Sequence, residues 1–175
     1  MVANMKSIGK GIAEIKESKF VDFNKKFETV YELLEAIHNT RAGIFEAEIS
    51  SDNLFTYVKS IIESNQEFSF IRQVHQMNLE ISDKIIFLEL IWCRITGKEN
   101  IKILDILSGV FDTAIKCFIY SQTILEKENQ LVNQKFVEIT TSHYINEIEI
   151  TLSETSLILL KEEGIKQFAN DKKKE

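Results

Sequence analysis

The chain has 175 residues, enough for one good core or for a core with an appended helical arm. Its hydrophobic share of 44% and charged share of 27% are those of a soluble globular protein, and the absence of proline excludes proline-rich linkers and polyproline recognition segments. A formal charge of −6, with Arg41, Arg72 and Arg94 as the only arginines, argues against a dedicated nucleic-acid binder, which normally carries a basic stripe.

The first residues, MVANMKSIGKGIAEIKESK, are too charged for a signal peptide and are weakly patterned, so a frayed start is expected over 1–18. A clear period then begins. Phe20, Phe23, Phe27, Val30, Leu34 and Ile37 are spaced 3, 4, 3, 4, 3, a heptad seam of about three repeats. Such a helix packs on its own domain or pairs with a copy of itself or another protein. The segment RAGIFEAEI loses the period at Gly43, which predicts a turn over 41–49. Ser50 and Ser51 are candidate N-caps for a helix to about Asn65, with Leu54, Tyr57, Val58, Ile61 and Ile62 inward. A short helix follows near 67–77, carrying Phe68, Phe70, Ile71 and Val74.

Ser82 is a candidate cap for a helix in which IIFLELIWC leaves almost no polar face, the mark of a helix central to a core. That run is interrupted by Glu89 and falls far short of the ~20 apolar residues needed to span a bilayer. Gly97 ends the helix, Asn100 is expected to cap a short one over IKILDILS, and Asp112 a longer one from Thr113 to about Asn129. The stretch QKFVEITTSHYINEIEITLSETSLILL then changes character. Val137, Ile139 and Thr141 alternate with Phe136, Glu138 and Thr140. Beyond a polar turn, Ile148, Ile150 and Leu152 alternate with Glu147, Glu149 and Thr151. Period two on both sides of a turn is a hairpin signal. Ser153 caps a closing helix that ends at Gly164.

The expected fold class is therefore mainly α with a small β-hairpin. A helical N-terminal region (1–81) precedes a winged-helix-like domain (82–165), with a charged tail (166–175). SDKIIFLELIWCRITGKENIKILDILSG, the helix from DTAIKCF and the wing ending in ITLSETSLILL together resemble the winged-helix-like region ahead of the ATPase module in some bacterial AAA-type ATPases. That resemblance implies an accessory or regulatory domain, with nucleotide chemistry located in other sequence.

No constellation in the chain carries chemistry of its own. SIGKGIAE and TGKEN lack the G-x-x-x-x-G-K-[ST] spacing of a phosphate loop. His38, His75 and His143 have no His or Cys at i+3 or i+4, and no paired CxxC or calcium loop is present, so no metal or other cofactor is expected. Cys93 and Cys117 lie in apolar helical stretches and read as buried thiols in a reducing, cytoplasmic setting. Neither an enzyme nor a small-molecule substrate is indicated.

Thr113, Lys116, Tyr120, Thr123 and Lys127 share one face of the predicted third helix, where a winged helix would meet DNA. Residues 82–160, however, hold seven Lys or Arg against eleven Asp or Glu, a balance of −4. The phosphate-neutralising part of DNA affinity would be largely missing. The sequence thus reads as a non-catalytic interaction domain that contacts protein, or itself, through the 20–37 seam or the 113–127 face. The alternative is a winged-helix transcriptional regulator.

Overall fold

The computed structural model describes residues 24–140 and 142–167. Eight α-helices and three short strands are assigned among them. Helix α1 (Val30–Phe45) starts where Thr29 accepts a hydrogen bond from the Glu32 amide at 3.2 Å, and α2 (Ser51–Ser64) where Ser50 does the same for Asn53. Helices α3 (Ser69–Gln76) and α4 (Ile81–Ile95) follow. In α4 ten residues are buried, Asp83 and Glu89 among them, as its nearly continuous apolar character requires. Helix α4 closes in a Schellman turn: Gly97 takes φ 90°, its amide bonds the Arg94 carbonyl, and the Lys98 amide bonds the Cys93 carbonyl. Then come β1 (Ile101–Lys102), α5 (Ile103–Leu107), α6 (Ala114–Leu125), α7 (Gln130–Asn133), β2 (Val137–Ile139), β3 (Glu149–Leu152) and α8 (Glu154–Glu162).

The strands form one antiparallel sheet in the order β1–β3–β2. The hairpin register pairs Val137 with Leu152, Glu138 with Thr151 and Ile139 with Ile150, and β1 adds Ile101 opposite Ile150. Val137, Ile148, Ile150 and Leu152 are buried while Glu138 is exposed, the alternation expected of a sheet with one covered face. A single apolar cluster links Phe27 on one side of the chain to Ile165 on the other, drawing on the helices before and after position 81.

Several local expectations are corrected. Gly43 does not end α1, which runs on to Phe45; a Cβ at Gly43 would lie only 3.1 Å from the Ile49 side chain, so the glycine serves the returning chain. Helix α4 begins at Ile81, ahead of Ser82. Asn100 caps nothing, because Ile101 and Lys102 are drawn into the sheet and the Ile103 amide bonds the Ile148 carbonyl. Thr113, not Asp112, caps α6, and that helix stops at Leu125, with Lys127 at φ 59° and Asn129 capping the separate α7. Among the described residues no helix is long and apolar enough to cross a membrane.

Candidate interaction surface

Helix α6 is held at its start and by its middle. Asp112, just before it, accepts the Ser51 amide at 2.9 Å and Lys116 Nζ at 2.7 Å, while the Asp112 amide donates to Ser51 Oγ at 2.8 Å. This reciprocal pair ties the start of α6 to the start of α2. The carboxylate lies below its ordinary pKa, chiefly through Lys116, and the ammonium above its own through Asp112. At the middle, Tyr120 donates from its hydroxyl to Asp83 Oδ1 at 2.6 Å. Burial pushes the Asp83 carboxyl and the Tyr120 phenol both upward. Ser121 and Ile124 are buried on the same inner side.

The five residues expected to form a polar face are therefore divided. Thr113 is spent as the cap, and Tyr120 turns inward to Asp83. The Thr123 hydroxyl donates to the Tyr120 carbonyl at 2.6 Å and accepts from Asn129. Lys116 is exposed but paired, and Lys127 is exposed beyond the helix end. What α6 presents outward is apolar: Ile115 is 67% exposed, Phe118 57%, Ile119 61% and Leu125 46%. Phe45, at the end of α1 and 61% exposed, lines with Phe118, Leu104, Cys117 and Ile145 a groove of about 560 Å³. Spacing could have shown this stripe. Ile115, Phe118 and Ile119 stand at i, i+3 and i+4, and Leu125 lies two turns beyond Phe118, on a side of the helix that a search for polar contacts passes over.

The heptad seam has a different fate. Phe20 and Phe23 lie outside the described residues. Phe27, Leu34 and Ile37 are buried, and Val30 packs against the same core. Phe27 precedes α1, its amide held by Asn65 Oδ1 at 3.1 Å.

One polar cluster lies inside the protein. Glu89 on α4 forms an ion pair with Arg41 of α1 and accepts a hydrogen bond from His38 Nδ1 at 2.7 Å, while Arg41 Nη2 donates to the Ile106 carbonyl at 2.7 Å. Among the described residues, Arg41 Nε and Glu89 Oε2 are buried without a hydrogen-bond partner. Cys93 Sγ stands 3.8 Å from Glu89 Oε1; burial first, and Glu89 second, push its thiol up to about 12, so it has no thiolate character near neutrality. Neither Arg41 nor Glu89 was singled out by sequence as a buried partner. His75 and His143 are exposed, and among the described residues no set of three His, Cys, Asp or Glu side chains converges as a metal site would.

No protein-family profile, curated protein or solved structure matches this chain.

Proposed function

We propose that this chain is a non-catalytic, winged-helix-like interaction domain that contacts protein through the outer face of α6. The architecture is supported by the order helix, strand, helix, helix, one-turn helix, hairpin over α4 to β3 and by the sheet order β1–β3–β2, in which the first strand closes on the returning arm of the hairpin. In a DNA reader built this way, α6 would enter the major groove and offer cations and hydrogen-bonding side chains. The observation that carries the protein reading is the opposite. Ile115, Phe118, Ile119 and Leu125 stand outward, and Lys116 is neutralised by Asp112. Phosphates would gain little from such a face, whereas an apolar counter-surface would gain the area removed from water. The pattern of residues 82–160 further supports an accessory, cytoplasmic role in a larger bacterial AAA-type ATPase, with the nucleotide chemistry outside these residues.

The test is a titration of the chain with labelled duplex DNA at two salt concentrations. Weak binding that is unchanged by Lys116→Glu and Lys127→Glu is expected. Tight binding that falls steeply with salt, and is abolished by those substitutions, would overturn the proposal.

A further inference from the structure

We infer that the apolar face of α6 is covered by α6 of a second copy of this chain, packed antiparallel about a two-fold axis; this rests on the reading of that face as a protein-contact surface. Area is the first argument. Ile115, Phe118, Ile119, Leu125 and Phe45 are between 46% and 67% exposed. Together they leave roughly 600 Å² of apolar surface, at the upper end of the largest patch on an ordinary monomer; doubled over two copies, it reaches the ~1,200 Å² at which stable interfaces begin. A two-fold contact doubles one face into a whole interface without needing another surface.

Shape and charge then set the arrangement. Helix α6 has 12 residues, so it presents a ridge about 18 Å long. Asp112 and Lys116 neutralise each other at its start, and Glu126 is the charge at its C-cap. Parallel packing would set Glu126 against its own copy and align the two helix dipoles. Antiparallel packing places the two Glu126 side chains at opposite ends of the contact, each beside the electroneutral Asp112–Lys116 pair of the other copy, and opposes the dipoles. The groove between Phe45 and Phe118 has room for an apolar side chain of the facing helix. A partner helix with a charged counter-face would find no complementary charge along this ridge.

Sedimentation velocity of the full chain from low to high micromolar concentration decides the matter. A monomer–dimer equilibrium is expected. Ile119→Lys should raise the dimer dissociation constant about thirtyfold or more, with an unchanged circular dichroism spectrum. Glu126→Gln, which relieves a like-charge clash only in a parallel pair, should leave the dimer dissociation constant within about twofold. A wild type that stays monomeric throughout, or a dimer indifferent to Ile119→Lys, would overturn the second copy as occupant. Dimerisation sensitive to Ile119→Lys but strengthened several-fold by Glu126→Gln would overturn the antiparallel arrangement. A monomer leaves the protein-contact reading standing, since that reading falls to the DNA titration instead.

Discussion

Arg41, Glu89 and Gly109 show how much of this fold is decided by single contacts between distant positions. Arg41 is 4% exposed, and a Cβ at Gly109 would sit 2.5 Å from its Nη2 and 2.9 Å from Cζ. Gly109 is thus a glycine because a guanidinium passes over it. Gly109→Ala should cost about 1–3 kcal/mol in a denaturant titration, since the planar, pinned group cannot give way. Glu89→Ala should cost more, about 3–5 kcal/mol, because it strands a buried guanidinium; Arg41→Met with Glu89→Leu should come out near neutral, since both charges leave together. A double variant as unstable as Glu89→Ala would show that the ion pair itself is not the cause. Nothing in the chain's periodicity announces this pair: Glu89 reads only as a break in IIFLELIWC, and Arg41 only as the residue before a loop. The buried thiol of Cys93, by contrast, is legible from its apolar neighbours. Asp83 adds a pH dependence. Its carboxyl is raised above its ordinary value, so the native state holds the proton more tightly than the unfolded chain. Asp83 therefore favours the fold most when protonated and disfavours it as pH rises from about 3.8 through the raised value. Asp83→Asn should stabilise at neutral pH, and that advantage should shrink as the pH falls through this window. Urea titrations at pH 7 and pH 4 check it, and an advantage that grows on acidification would refute it.

The elements differ in how openly the sequence declares them. Helix ends at Gly97 and Gly164 are visible because a left-handed residue is needed there: φ is 90° and 68°, and the amides that follow reach back to Cys93 and Leu160. The hairpin is visible because it keeps period two on both sides of its turn. Strand β1 is not. Two residues carry no period, and only the unpaired edge of β3 makes Ile101 and Lys102 a strand. Ile150 is where the three strands meet, paired with Ile139 on one side and Ile101 on the other, and it is 2% exposed. Ile150→Ala should therefore cost about 2–4 kcal/mol, while Thr151→Ala on the opposite face should stay within about 0.5 kcal/mol. Chemical denaturation of both variants distinguishes a sheet seated on the helices from one that merely flanks them. Equal small costs would favour the latter. Helix α6 lies between these cases. Its inner side was hard to tell from its outer one, because Cys117, Tyr120 and Ile124 on one side and Ile115, Phe118 and Ile119 on the other are all apolar or aromatic. Only the tertiary contacts of Tyr120 and Ser121 decide which side is spent.

For the whole molecule the telling fact is that α1 and α2 cover α4 rather than standing off as an arm. Leu33, Leu34 and Ile37 are at most 1% exposed, and the Trp92 ring lies 5.8 Å from His38 across the α1–α4 contact. A heptad seam and a helix buried all round are complementary halves of one core, although from sequence alone the seam is equally suited to a partner outside the chain. It follows that residues 82–165 expressed alone should not fold cooperatively. Removing the first part strips Arg41 from Glu89 and uncovers one side of a helix that has ten buried positions. A helix of that kind gains little from solvation, and its exposed flank should drive aggregation instead. The intact chain should melt as one unit, with Trp92 fluorescence and far-ultraviolet circular dichroism following the same transition. If the fragment melts sharply, or the two probes separate in the full chain, the α1–α4 contact is a junction between independent domains. The cost of breaking it would then fall on their docking and leave the wing and α6 intact.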